Sequence, residues 1–371
     1  MVERQLGVGV IGCGNIANKQ HLPNYARNPR ARIVAVADVD PERARATAER
    51  WSVDAYYVDY RDLLSRADVE AVSVTTWPGA HVEPVIAAAN AGKHIMCEKP
   101  LAPTLEDADA MVAAAERAGV KFSVGYQTRF SNGWLTVKKL LDEGVIGRLQ
   151  SINVVSCAPS AHYTPWFLRK AEAGGGVLMD WGSYTAYMIN WLMGPVESVY
   201  GACARFREDS YAGGVLVPEA DVEDTVAATL RFRSGALGTW YTTWAAVARH
   251  GYTSIDGSHG SILMRGGPGE GPSVFTSRFD EPEYLRGWRQ IQISELALPE
   301  LHYRKLAHLV DSVLDDTPLE LTGTDGRDAI ELVMAVYRSA EAGLPVSLPL
   351  ERRPALTPSP APEAAVELAV S

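Results

Sequence analysis

Short apolar runs alternate with amphipathic stretches over the first third of the chain. Leu6–Ile11, Ile33–Ala37, Ala71–Thr75, His94–Cys97 and Phe122–Val124 are apolar and largely β-branched, as strands buried on both faces are. Between them, apolar positions recur at helical spacing near 16–26, 41–51, 79–91 and 104–118. Pro41 suits a first helical position and Thr104 an N-cap, while Gly92 and Gly119 follow last turns. Alternation of this kind predicts βαβ units and a parallel sheet over residues 1–130.

The rhythm changes after about residue 147. A helical pattern at 131–143 ends in Gly144. Gln150–Cys157, Val199–Arg207, Val226–Phe232, Ala236–Ala245 and Gly251–Asp256 then read as longer strands joined by short turns such as Arg233-Ser-Gly235. They predict an α+β domain over 131–350 with a large, open, mostly antiparallel sheet. Helical stretches fall at 182–193, 299–316 and 325–342. Pro354, Pro358, Pro360 and Pro362 lie among alanines, so 351–371 is expected to be a disordered tail.

Composition narrows the class without naming a reaction. With 371 residues, 47% hydrophobic and 22% charged, the chain has ample material for two cored domains. A net charge of −10 argues against nucleic acid or an anionic membrane as partner, since both need a basic footprint. Met1–Gln5 leads directly into Leu6–Ile11, too short for a signal-peptide core or a membrane span. Cys13, Cys97, Cys157 and Cys203 are scattered, as expected of reduced thiols in a cytoplasmic protein. The histidines lack metal-ligand spacing, and no metal is expected.

The first chemical signal is Gly12-Cys-Gly14-Asn15-Ile16-Ala17, a GxGxxA run between a strand and a helix. Gly12 permits the tight turn, Gly14 lets the backbone approach a pyrophosphate, and Ala17 packs the helix onto the strand. The pyrophosphate would meet free N–H groups at the helix N-terminus. Asp38 ends the second strand, 21 residues after Ala17, where a carboxylate grips the adenosine ribose and repels a 2′-phosphate. An α/β Rossmann domain binding NAD in preference to NADP follows, with Arg43 a nearby basic group that softens the choice. The plainer alternative is a structural turn followed by a helix cap.

The fifth strand runs into Cys97-Glu98-Lys99-Pro100-Leu101. Ligands in open parallel sheets sit at the carboxyl ends of the strands, so Lys99 stands at the cofactor edge. GCGNIA at 12–17, AVAD at 35–38, Thr75-Thr-Trp77-Pro-Gly-Ala-His81, GKHIMCEKPLA at 92–102, GYQTRF at 125–130, Gly174-Gly-Gly-Val-Leu-Met-Asp180 and VEDTVAATLRFRSGALGT at 222–239 together resemble the glucose–fructose oxidoreductase, inositol dehydrogenase and rhizopine-catabolism group, Gfo/Idh/MocA. The resemblance implies NAD(P) in the first domain, with Thr75, Trp77, His81 and Glu98 beside it. It implies a sugar or cyclitol over the second domain's sheet, and dimers or tetramers formed through that sheet's outer face. The lysine of EKP, here Lys99, would lie by nicotinamide and substrate, often with a cis peptide before its proline.

Asp180 and Tyr184 are four residues apart and share one face of a helix that starts near Asp180. Much of the family carries histidine at the second position. Tyrosine here resembles the glucose–fructose oxidoreductase and dihydrodiol dehydrogenase branches. A phenol has a pKa of about 10, so phenolate chemistry near neutral pH needs roughly 4 kcal/mol of help, for which Lys99 is the expected source. Asp180 would orient the substrate hydroxyl or Lys99. Arg129, His162 and Trp166 are further substrate-binding candidates, with salt bridges and packing as plainer roles. The expected activity is hydride exchange between nicotinamide and a secondary alcohol or ketone of a sugar or polyol. A redox-neutral glycosidase or lyase, or a non-catalytic NAD sensor, are the alternatives.

Overall fold

In the computed structural model, residues 4–159, 164–265, 271–277, 287–294 and 297–351 are described; His162 and the expected tail beyond 351 lie outside them. Six strands form the first sheet: β1 (Leu6–Ile11), β2 (Ala31–Ala37), β3 (Tyr56–Tyr57), β4 (Ala71–Val74), β5 (His94–Cys97) and β6 (Phe122–Val124). Their order is β3-β2-β1-β4-β5-β6, all parallel. The strand order reverses between β1 and β4, and a crevice opens at the carboxyl ends there. Asp40 caps the helix Pro41–Trp51. Thr104 and Gly119 bound the helix Leu105–Ala118 as their residue types require.

The helix after the glycine loop departs from simple α geometry. Ala17–His21 forms a wide π turn, closed by the Leu22 amide donating to the Ala17 carbonyl, before Leu22–Ala26 resumes α geometry. Pro23 has no N–H to donate, so a regular ladder cannot run through it.

The second sheet has nine strands. Its central members are β7 (Leu149–Cys157), β8 (Val196–Ala204), β11 (Thr225–Phe232), β12 (Leu237–Thr243) and β13 (His250–Gly257). A small hairpin, β9 (Tyr211–Ala212) with β10 (Val215–Leu216), lies apart from it. The edges are β14 (Gly260–Met264), β15 (Ser273–Thr276) and β16 (Arg289–Gln290) on one side and β17 (Val346–Ser347) on the other. All neighbours are antiparallel except β12 and β7, which run parallel. Buried and exposed residues alternate from Val226 to Phe232 on β11 and from Leu237 to Thr242 on β12, leaving one face covered and one open.

The helix Val177–Met193 lies on the covered face and starts five residues before the 182–193 reading. Gly182 allows the approach: a Cβ there would sit 3.0 Å from the Trp240 ring. The helix Leu298–Leu314 crosses back to the first sheet. Leu306, Leu309 and Val310 pack with Leu6, Val8, Ala71 and Met96 in one buried cluster. The core of the first sheet is therefore completed by residues from late in the chain.

Candidate active site

At the crevice, Gly12 has φ +93°, a conformation that favours glycine. Its missing Cβ also spares the Thr76 amide, 2.9 Å away. A Cβ on Gly14 would meet no protein atom within 4 Å, so protein packing does not explain that glycine, whereas close approach of a pyrophosphate does. Ala17 is fully buried against the sheet; Asn15 is exposed and Ile16 half-buried at the start of the helix. Asp38 sits behind the loop, where one carboxylate oxygen accepts from the Cys13 amide at 2.7 Å and the other from the Asp40 amide at 2.9 Å. Arg43 approaches the second oxygen at 3.4 Å. These residues fit a dinucleotide with two free ribose hydroxyls.

The loops after β4 and β5 form the other wall. Thr75 donates to the Ile11 and Gly12 carbonyls and so braces the glycine loop. Trp77 is exposed at the rim. His81 is fully buried; each ring nitrogen lies 3.1 Å from carbonyl oxygens, those of Pro100 and Leu101 on one side and of Thr76 on the other. It ties the two loops together. Burial lowers its pKa, and nothing of the ring is left for a cofactor. Glu98 also turns inward, accepting from Lys305 and His21. The Lys99–Pro100 peptide is cis.

Lys99 points the other way and pairs with Asp180 in the first turn of the helix Val177–Met193. Asp180, Trp181, Tyr184 and Thr185 form the partly open stripe of that helix. The Lys99 ammonium lies 4.8 Å from the centroid of the Tyr184 ring, over its face. The Tyr184 hydroxyl donates instead to Gln127 Oε1 at 2.5 Å. The expected lysine–phenolate pair is thus revised. Burial first, then the Glu98 and Asp180 carboxylates, push the phenol well above its ordinary value, and the ammonium faces the ring rather than the oxygen. The resting site holds an ammonium–carboxylate pair beside a protonated phenol.

Two expected substrate residues are directed elsewhere or only border this trio. Arg129 pairs with Glu320 and stacks 4.4 Å over Trp191, which ties the turn Gln127–Phe130 to the helix Val177–Met193 and to the segment before the helix Gly323–Ala342. Trp166 stacks on Phe167 at 3.8 Å, in a segment adjoining the undescribed residues 160–163.

Two family models match in series: an oxidoreductase family with an NAD-binding Rossmann fold over residues 6–126, and the Gfo/Idh/MocA C-terminal domain over 134–263. Myo-inositol 2-dehydrogenase of Thermotoga maritima is 30% identical over 349 residues, covering 92% of this chain and 98% of that protein. The chain belongs to the Gfo/Idh/MocA oxidoreductase family. Levoglucosan dehydrogenase of Pseudarthrobacter phenanthrenivorans is 31% identical over 289 residues, 70% of this chain and 74% of that one. A solved levoglucosan dehydrogenase in complex with NADH superposes with a TM-score of 0.85 at 25% identity, covering 93% of this chain and 100% of the other.

Within this Gfo/Idh/MocA chain, the packing explains motifs that a linear reading leaves opaque. The helix bearing Asp180 and Tyr184 has no local side-chain cap. Glu223 reaches across instead, its carboxylate accepting from the amides of Gly176 and Leu178 and from the Tyr337 hydroxyl. A Cβ on Gly175 would lie 2.0 Å from the Tyr337 oxygen, and one on Gly176 1.9 Å from the Glu223 carbonyl. The triple glycine is the space these partners occupy. Gly125 serves in the same way: a Cβ there would press 2.8 Å from a Glu98 oxygen. Glu223 and Gln127 escaped the sequence reading, although both lie inside quoted motifs. Among the described residues no group of His, Cys, Asp and Glu could hold a metal ion.

Proposed function

We propose that this protein is an NAD(H)-dependent dehydrogenase that exchanges hydride with a secondary alcohol or ketone of a sugar or cyclitol. The Lys99–Asp180 pair beside the Tyr184 phenol, at the carboxyl edge of a sheet whose β1 loop fits a pyrophosphate, carries this reading. The relatives' activities on inositol and levoglucosan support the substrate class. NAD supplies hydride exchange at its nicotinamide when bound. Tyr184 holds the proton that a carbonyl oxygen receives in reduction, or takes back from the alcohol in oxidation. Lys99 stands over the ring and steadies negative charge developing near it, while Asp180 fixes the lysine. Raising of the phenol by burial favours its proton-donating form near neutral pH, so oxidation should speed up as the pH is raised.

The outer face of the second sheet exposes Tyr200, Leu237, Tyr241 and Tyr252, apolar area that supports self-association into a homodimer or homotetramer. No described helix is long and apolar enough to cross a membrane. The four free cysteines support a place in the reducing cytoplasm. A panel of sugars and cyclitols, assayed for NADH absorbance with NAD and NADP separately, tests the reading. Accumulation of NADH with at least one member supports it. Bond cleavage without net NADH would favour the redox-neutral alternative, and NADH binding without turnover of any member would favour a sensor.

A further inference from the structure

Lys305 has no role in the site described so far, yet it lies directly behind it. It sits on the helix Leu298–Leu314, is fully buried, and donates to Glu98 Oε1 at 2.5 Å. A buried lysine is costly unless paired, and the partner it finds is the residue next to Lys99. The same Glu98 oxygen receives His21 Nε2 at 2.8 Å. His21 Nδ1 lies 3.1 Å from Ser73 Oγ, and Tyr25 reaches that oxygen at 2.8 Å. One direction of donation satisfies the chain: Tyr25 to Ser73, Ser73 to His21, His21 to Glu98. His21 is then neutral, in keeping with burial and the Lys305 charge lowering its pKa. The second Glu98 oxygen accepts from the Lys99 amide at 3.2 Å. Glu98 therefore joins the buried cluster to the main chain of Lys99.

We propose that Lys305 is a positioning residue for Lys99: its ammonium neutralises the buried Glu98 carboxylate and clamps the strand end from which Lys99 reaches the cleft. Charge balance is the core of the argument. Glu98 and Lys305 sum to zero, so the unbalanced carboxylate left for Lys99 is that of Asp180. The charged and titratable groups around Lys99 are Asp180 and Tyr184 from the helix Val177–Met193, Glu98 beside it, and His21, His302 and Lys305 behind Glu98. His302, one turn before Lys305, is pushed down to about 3 by burial and then by the Lys305 charge, so it brings no second cation. Without Lys305, the Glu98 charge would act on Lys99 and favour its protonated form. Without Glu98, the Lys305 charge would disfavour it.

The inference rests on Lys99 serving the proton chemistry proposed above, and its test is independent of any substrate. The full-length protein is labelled with [13Cε]lysine, the Lys99 signal is assigned through Lys99→Arg, and its titration midpoint is followed. Lys305→Met should raise the midpoint by about one pH unit, and Glu98→Gln should lower it by about as much, the scale of one nearby charge. The double variant should return it close to the wild-type value, because a buried ion pair exchanged for neutral groups leaves no stray charge. Opposite shifts that cancel cannot come from general loosening. Equal midpoints in all four proteins, or single variants moving the same way, overturn the proposal. If Lys305→Met does not fold, Glu98→Gln and the double variant decide by the same rule. Failure to oxidise any sugar would sink the proposed function and leave these shifts standing.

Discussion

Replacing Tyr184 by phenylalanine separates the two things this side chain does. The ring remains, and with it the Lys99 contact at 4.8 Å from the centroid, an interaction of about 0.5–2 kcal/mol. The hydroxyl goes, and with it the 2.5 Å bond to Gln127. Gln127 is 9% exposed, so its oxygen would be left unsatisfied at a cost of about 1–3 kcal/mol in stability. The effect on turnover should be larger and of a different kind. A positioned proton donor contributes about 100-fold to 10,000-fold, so kcat should fall at least ~100-fold, or about 2.7 kcal/mol in the barrier. NADH affinity should change less than ~2-fold (under about 0.5 kcal/mol), because the hydroxyl is bonded to Gln127 and not to the glycine loop. Three measurements decide: kcat from NADH absorbance, Kd from NADH fluorescence, and the urea unfolding midpoint. A kcat within about threefold of wild type, under 1 kcal/mol, would remove Tyr184 from the proton-transfer role. Loss of NADH affinity in step with turnover would show instead that the substitution loosened the fold.

Further outcomes follow from the same geometry. Gly176→Ala places a Cβ 1.9 Å from the Glu223 carbonyl; it should cost about 3 kcal/mol in urea unfolding and lower kcat as the helix bearing Asp180 shifts, and an unchanged midpoint would contradict the cap. Asp38→Ala removes the acceptor of the Cys13 amide and frees Arg43; Kd for NAD should rise about tenfold and the preference over NADP should shrink, whereas an unaltered NAD/NADP ratio would refute the assignment. Acid should unfold the protein partly through Glu98. Burial alone would raise this carboxyl, but Lys305 and His21 hold it well below its ordinary value, so as pH falls the unfolded chain takes the proton first. Its contribution is present above about pH 4.3 and is lost as pH falls through the depressed value. Glu98→Gln should therefore flatten the fall in unfolding free energy below about pH 4.3, and equal slopes in the two proteins would count against the pairing.

The sequence by itself determined what short range and repetition can encode. Apolar runs broken by helical periods gave five strands of the first sheet and their parallel arrangement, while the two-residue β3 and the spatial order β3-β2-β1-β4-β5-β6 came only with the structure. GxGxxA with Asp38 placed the dinucleotide loop, because a turn that a pyrophosphate must approach leaves only small residues. EKP and GGGxLxD marked the residues that meet as the Lys99–Asp180 pair. Tertiary structure alone decided where the neighbouring side chains point. Glu98 and His81 read as cofactor residues, yet burial turns the first to Lys305 and the second to backbone carbonyls. Arg129 read as a substrate anchor, yet Glu320 and Trp191 hold it. The start of the helix Val177–Met193 was missed because its cap, Glu223, lies 47 residues from the amide of Gly176. Periodicity reports which face of an element is apolar; it carries no record of which distant charge or hydroxyl that face will meet.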